Sequence, residues 1–203
     1  MSALVLTTVG VGAASSPRFA PAGLLVEGRG ARVMIDGGPG SEPAGRLDAW
    51  LVTDMGSELI AQLRKLARSR GLEPGSGDFD GSALSVRYHP VVHTNHPAGG
   101  YLIKSGNQTV AWAPEFWEFP AWASGADLMF AEAAGWDRPI RFAGGAGGHM
   151  AALEVAAAAQ AHRVRRLVFA HIGRPTLRAI DRGERPPFGE LGRDGQVFRL
   201  PVE

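Results

Sequence analysis

The stretch of residues 91–115, VVHTNHPAGGYLIKSGNQTVAWAPE, constrains the fold more than any other part of the chain. Residues 101–103 and 109–112 are β-prone, and the Gly and Asn between them favour a turn, so the stretch predicts a β-hairpin. His93 precedes the first strand and Glu115 follows the second, so strand pairing brings both to the same end of the hairpin. An imidazole and a carboxylate that meet at a strand end suit a divalent metal ion.

Other strands also end in residues that can carry chemistry. Strands are predicted at residues 4–9, 22–27, 31–35, 49–53, 84–88, 127–132, 166–170 and 197–200. Asp36, Asp54 and His171 each follow one of these strands. Because sheet proteins often place their chemistry at strand ends, Asp54 and His171 are site candidates, whereas Asp36 before two glycines is equally typical of a plain turn.

Three helices are predicted. Residues 59–70 follow Glu58 with leucines at helical spacing, and Asp54 or Thr53 could cap this helix, which would by itself explain an acid at position 54. An alanine-rich helix follows His149 and Met150, and a shorter helix is predicted over residues 176–181. Helix capping and metal binding therefore both remain open as roles for Asp54.

Length and composition limit the class of protein. The 203 residues suit one domain over residues 1–203, and a formal net charge of +1 gives no general attraction to nucleic acid or membrane. The absence of cysteine excludes disulfides and thiolate metal sites and fits a reducing compartment. We find no signal peptide and no apolar run of about 20 residues, so we expect a soluble, cytoplasmic protein without membrane contact.

The order of these segments resembles the metallo-β-lactamase fold superfamily, most closely its ribonuclease Z and phosphodiesterase-like branch. The resemblance rests on IDGGPG, DAWLVTD, a His before GYLI, VAWAPE, GHM before an Ala-rich helix, and LVFAHI, and it covers residues 4–175. It implies an α/β fold, a four-layer αββα sandwich with a one- or two-metal site at one edge. The usual chemistry of this superfamily is hydrolysis.

The most specific family motif, H-x-H-x-D-H, is altered in this chain. Asp54 stands at the position of the first His and Glu58 at the position of the Asp. Gly56 and Leu59 stand where the other two His residues are expected, and neither can bind a metal through its side chain. Glu58 is thus a candidate for both metal binding and catalysis.

The later family positions match better. His93 corresponds to the next ligand, although His96 competes with it because the spacing to the GY pair differs by about one residue. Glu115 stands at the position of the bridging Asp, His149 at that of the extra catalytic His, and His171 at that of the final ligand. The resemblance implies that Asp54, His93 and Glu115 hold one ion and that Glu58, Glu115 and His171 hold another.

The implied function is metal-dependent hydrolysis of a small phosphodiester or other anionic ester, with one or two divalent ions of Mn, Fe or Zn activating water. His149 would protonate the leaving group, and Arg174 would bind the anionic substrate. The carboxylate-rich set favours Mn or Fe over Zn. Structured nucleic acid is a poor substrate, because the chain has no insertion that would serve as a long gripping arm, and a homodimer is compatible with the sequence.

The alternative is a catalytically inactive module of the same fold that binds or has a structural role. In that case Asp54 caps a helix, and Glu115 and His171 satisfy each other across the sheet edge. The two alternatives differ in their metal content.

Overall fold

The computed structural model describes residues 3–143 and 147–202. The strands are β1 (Ala3–Gly10), β2 (Gly23–Gly28), β3 (Ala31–Asp36), β4 (Ala49–Leu51), β5 (Phe79–Asp80), β6 (Ser85–Val91), β7 (Ala98–Ser105), β8 (Gln108–Ala113), β9 (Leu128–Ala133), β10 (Ile140–Arg141), β11 (Gly148–His149), β12 (Leu167–Ile172), β13 (Glu190–Leu191) and β14 (Gln196–Pro201). The helices are α1 (Ile60–Arg68), α2 (Ala152–Ala161) and α3 (Arg174–Asp181), and a 3₁₀ turn covers Ala121–Ala123. These bounds agree with most of the predicted segments to within a few residues.

Two sheets form the centre of the fold. The first sheet has the order β14-β1-β2-β3-β4, and the second has the order β13-β12-β9-β8-β7-β6-β5, with β10 and β11 forming a separate ribbon. Pairing is antiparallel except along β3-β4 and along β8-β9-β12-β13. Strands β9 and β12 are buried at every residue, as expected for parallel strands that are covered on both faces.

The apolar faces of the sheets and helices define four layers. Leu4, Leu24 and Val26 of the first sheet belong to one core with Tyr101 and Trp112 of the second. A smaller cluster packs Leu63 and Ala67 of α1 against Met34, Trp50 and Val52 on the other face of the first sheet. Helix α2 lies against β9 and β12 on the far side. The layers run helix, sheet, sheet, helix, which confirms the predicted αββα sandwich.

The hairpin that the sequence predicts is formed by β7 and β8. Ser105 pairs with Gln108 across a two-residue turn, and Gly106 there has a φ of 55°. A positive φ is unfavourable for residues with a Cβ, so a glycine at this point lets the chain reverse tightly. The hairpin places the loop before β7 and the segment after β8 at one end of the second sheet.

The start of α1 differs from one sequence expectation. Leu59 occupies the N-cap position and makes no side-chain capping bond, while the carboxylate of Asp54 accepts a hydrogen bond from the Gly56 amide at 2.6 Å. The capping role considered for Asp54 is therefore wrong, because a local turn separates this acid from the helix. The Asp54 side chain is instead directed to a histidine, as described below.

Helix α3 begins at Arg174, two residues before the predicted start. Pro175 lies in its first turn, where the missing amide hydrogen removes no helical hydrogen bond. Within the described ranges, no helix has the length and apolar character needed to cross a membrane.

Candidate functional site

The predicted site residues gather at one edge of the sandwich. One cleft of about 400 Å³ is lined by all seven residues that the sequence singled out, namely Asp54, Glu58, His93, Glu115, His149, His171 and Arg174. His96, the competitor of His93, lines the same cleft. A concave site of this size suits a small ligand.

Glu115 lies at the centre of the site, just after β8. One of its oxygens is 3.1 Å from His93 Nε2, and the other is 2.7 Å from His171 Nε2. Burial alone would raise the pKa of the Glu115 carboxyl, but the adjacent His171 and His93 hold that pKa well below its usual range. Glu115 is thus an anion that two histidines from different segments of the chain share.

His93 is held in one orientation by the chain around residue 148. Its Nδ1 donates a hydrogen bond of 2.9 Å to the carbonyl oxygen of Gly148. The backbones pack so closely that a Cβ at position 147 would lie 2.2 Å from the His93 carbonyl oxygen. The Nδ1 hydrogen bond leaves Nε2 as the nitrogen that faces Glu115, which is the usual arrangement of a metal-binding histidine.

Asp54, His93 and Glu115 form a group that fits a metal ion. One ligand atom from each lies within 4.8 Å of the others. Asp54 and His93 are almost completely buried, whereas Glu115 is about a quarter exposed. The group is therefore open to the cleft on the side of Glu115. Two carboxylates and an imidazole are ordinary ligands for a divalent cation, and their charge balances one such ion.

Glu132, on strand β9, is a site residue that sequence analysis missed. Its carboxylate accepts hydrogen bonds from His149 Nδ1 at 2.7 Å and from His171 Nδ1 at 3.3 Å. The backbone amides of Phe116 and Ala134 also donate to it, at 3.2 and 2.8 Å. The available signal was an acid at the end of a predicted strand whose central residues are apolar, because a buried carboxylate needs partners.

Glu132, His149 and His171 are also close enough to be considered as a metal-binding group. The hydrogen bonds argue against that role, because four donors already occupy the oxygens of a side chain with no solvent exposure. We therefore interpret Glu132 as a positioning residue. It accepts the hydrogen bond from His149 Nδ1, so that Nε2 is the nitrogen that remains available to a ligand in the cleft.

His171 is placed by an irregular end of strand β12. The pairing of β12 with β9 shifts in register between Phe169 and Ile172, and His171 has a φ of 56°. A histidine with a positive φ is uncommon, and such strain is often found at functional sites. Burial would lower the pKa of His171, but Glu115 and Glu132 on its two sides outweigh this effect and raise it to about 10.

Glu58 and Arg174 stand apart from these groups. Both are exposed and both line the cleft, but Glu58 belongs to neither candidate metal group among the described residues. The second set predicted from sequence, Glu58 with Glu115 and His171, is thus not assembled here, and Glu132 and His149 surround His171 instead. Glu58 lies in the turn before α1, whose path places it at the rim of the cleft.

Asp36 supports the loop that carries Asp54. Its carboxylate accepts hydrogen bonds from the Thr53 amide at 2.7 Å, from the Thr53 hydroxyl at 2.9 Å and from the Trp112 indole at 2.7 Å. Burial raises the pKa of Asp36 to about 6, although these hydrogen bonds oppose the increase. Asp36 thereby joins β3, the segment after β4 and β8 of the second sheet.

We expect the pH dependence of stability to report on Asp36. Because the pKa of Asp36 is higher in the folded than in the unfolded protein, its stabilising contribution is complete below about pH 4 and is lost as the pH rises through about 6. The free energy of unfolding of the wild type, minus that of the Asp36→Asn variant, should therefore fall by about 2–3 kcal/mol between pH 4 and 7. Urea unfolding at several pH values measures this difference.

The exposed residue Asp137 provides the control for this experiment. The Asp137→Asn variant removes one exposed carboxyl and so controls for the loss of a single negative charge from the protein. A constant difference for Asp36→Asn would show that the pKa of Asp36 is not raised in the folded protein.

Comparisons with known proteins agree with this architecture. The sequence model of the β-lactamase superfamily domain matches residues 41–172. By sequence, none of the curated proteins matches the chain. Among solved structures, the metallo-β-lactamase fold protein YhfI from Bacillus subtilis is 16% identical, with a TM-score of 0.73 over 96% of this chain and 99% of that one.

Two enzymes have similar structures. A diphosphatase of the PhnP family is 19% identical with a TM-score of 0.72, covering 100% of this chain and 99% of the other. The short form of human tRNase Z is 17% identical with a TM-score of 0.71, covering 98% of this chain and 100% of the other. At these identities the likeness establishes the shared fold.

Proposed function

Because the chain belongs to the family defined by the β-lactamase superfamily domain, we propose that it is a metal-dependent hydrolase of a small phosphodiester or other small anionic ester. The observation that carries the proposal is the group of Asp54, His93 and Glu115, which lies in the wall of a cleft of about 400 Å³. We propose that this group holds one divalent ion of Mn, Fe or Zn.

A bound divalent ion would supply Lewis-acid activation of water and of the scissile group. The protein residues have separate tasks. Asp54 and Glu115 contribute two negative charges, His93 presents Nε2 because Gly148 holds its Nδ1, and His171 contacts the second oxygen of Glu115. The carboxylate of Glu115 is therefore oriented from both sides before any ligand arrives.

His149 is proposed as the general acid. Glu132 accepts a 2.7 Å hydrogen bond from His149 Nδ1. Nε2 is therefore the nitrogen that can deliver a proton to a leaving group in the cleft. Glu132 lies on β9 of the second sheet and is completely buried, so the sheet holds the carboxylate to which the His149 ring is bonded. A fixed donor of this kind can reach only one part of a bound substrate.

Arg174 and the shape of the cleft support an anionic and small substrate. The exposed Arg174 side chain lies at the cleft beside His171 and can bind an anionic oxygen. Two structural neighbours are by name a diphosphatase and a tRNase, which favours a phosphate ester. The size of the cleft favours a small substrate over structured nucleic acid.

Activity should depend on Mn²⁺ or Fe²⁺ more than on Zn²⁺. Two carboxylates with few imidazoles form a hard ligand set, and water can complete the six-coordinate shells that these ions prefer. We would strip the protein with a chelator, add each metal separately, and measure hydrolysis of a panel of small phosphodiesters and esters. Occupancy is a poor substitute for activity, because the Irving–Williams order favours zinc at most sites.

Two outcomes would count against this proposal. Fastest turnover with Zn²⁺ would show that the metal preference is wrong. No turnover with any metal, from protein that remains folded, would favour an inactive module of the same fold that serves in binding.

A further inference from the structure

The loop between β6 and β7 contains a second histidine whose position is unusual. A Cβ at position 56 would lie 2.6 Å from His96 Nε2, 2.8 Å from its Cδ2 and 3.0 Å from its Cε1. The His96 ring therefore fills the volume that a side chain at position 56 would need. Only a glycine at position 56 leaves this space open.

Position 56 is one of the two places where the altered motif has lost a side chain that can bind a metal. The backbone there does not require glycine, since Gly56 is not among the residues with positive φ in the described chain. The backbone conformation at position 56 therefore does not explain why this residue is a glycine. The space that the His96 ring occupies does explain it.

His96 also contacts Asp54, one member of the candidate metal group, although its ring nitrogens are not among the ligand atoms that lie within 4.8 Å of one another. Its Nε2 is 2.9 and 3.0 Å from the two oxygens of Asp54, and Asp54 is nearly buried. The Thr94 hydroxyl donates a 2.9 Å hydrogen bond to the His96 carbonyl oxygen and stabilises the loop conformation. His93 and His96 lie in the same short loop, so one segment delivers both imidazoles to the cleft.

We propose that His96 is a metal ligand that replaces the missing side chain at position 56. Asp54, His93, His96 and Glu115 would then hold one divalent ion with two imidazoles and two carboxylates, once the His96 ring moves from its contact with Asp54 toward the other two residues. This inference rests on the proposed function, because it adds a ligand to the same site. Binding uses the Nδ1–H tautomer of His96, so that the lone pair of Nε2, which now faces Asp54, is available to the ion.

A merely structural role would also place His96 beside Asp54, so the experiment must separate a ligand from a hydrogen-bond donor. In the His96→Gln variant, an amide can still donate to Asp54 but is a poor ligand. We expect the Mn²⁺ and Zn²⁺ affinities of this variant, measured by competition with a chelator, to fall by about 100-fold. An affinity within about threefold of wild type would overturn the ligand role.

The chain offers a second, more specific variant. Gly56→His in the His96→Ala background places an imidazole back on position 56, where the removed ring no longer obstructs it. We expect this double variant to regain metal affinity to within about tenfold of wild type, whereas His96→Ala alone remains weak. Equal, weak affinities in both variants would count against the replacement. The matched control is His89→Gln, since His89 stacks on Trp122 outside the cleft.

Spectroscopy tests the same point without any measurement of activity. With Cu²⁺ as the probe, pulsed EPR should detect two imidazole ligands in the wild type and one in His96→Gln. The same count in both proteins would overturn the inference. If Glu115→Gln loses the metal while His96→Gln keeps it, the proposed function stands and this inference fails. If the wild type binds no divalent metal, both are wrong.

Discussion

The Glu115→Gln variant should fold normally and should lose divalent metal binding. The change keeps the volume of the side chain but removes the charge that His93 and His171 share at 3.1 and 2.7 Å. Loss of even an outer-shell partner costs about 10- to 100-fold in metal affinity, so we expect loss of this central carboxylate to cost at least about 100-fold. Chelator competition with Mn²⁺ and Zn²⁺ measures this loss.

The hydrolytic activity of the Glu115→Gln variant should fall because the variant has lost its metal. The Lewis-acid contribution is worth several kcal/mol, and each 1.4 kcal/mol is a factor of about ten, so turnover should fall by about 10³-fold or more. Glu118→Gln is the matched control, because Glu118 is an exposed acid three residues further along the same segment. Glu115→Gln protein that binds metal as tightly as the control would show that Glu115 is only an ion-pair partner.

The hairpin explains why part of the site could be predicted from sequence. Strand periodicity and a Gly-Asn turn place His93 and Glu115 at one end of the second sheet, and the two side chains do meet there. His171 follows from the same logic, because β12 is a buried strand with a polar residue near its carboxyl end. Local sequence rules are sufficient wherever a strand end fixes the direction of a side chain.

Glu132 and His96 show where these rules stop. Glu132 is a charged residue within a strand that is buried along its whole length, and three of its four partners come from other segments of the chain. Their positions depend on how β9, β11 and β12 pack together, which strand periodicity does not specify. The same holds for His96, which comes near Gly56 only because two loops meet in the folded protein.

The resemblance to a family motif assigned one residue that lies apart from both candidate metal groups of the described chain. Reasoning by motif position assigned Glu58 to a metal because it stands at the position of an aspartate. In the structure, Glu58 lies in the turn before α1 at the rim of the cleft, and His171 is surrounded by Glu115 and Glu132. A motif position transfers a role only when the backbone around it follows the same path, and a longer, exposed side chain in a turn need not do so.

The His149→Ala variant should keep its metal and lose most of its turnover. His149 lines the cleft, and its Nδ1 hydrogen bond to Glu132 holds the ring in a single orientation. Loss of a general acid commonly reduces the rate by about 10²- to 10⁴-fold, so kcat should fall by that factor while KM changes little. Metal content should remain that of the wild type, since His149 is not part of the group of Asp54, His93 and Glu115.

The pairing with Glu132 makes this prediction specific. Glu132→Gln should also lower kcat, because an amide cannot hold the His149 ring as a carboxylate does, and the double variant should be scarcely slower than His149→Ala alone. His162→Ala is the control, since His162 stacks on Phe119 and lies outside the cleft. If His149→Ala instead removed the metal, the group of Glu132, His149 and His171 would be a metal site, and the assignment of His149 as general acid would be wrong.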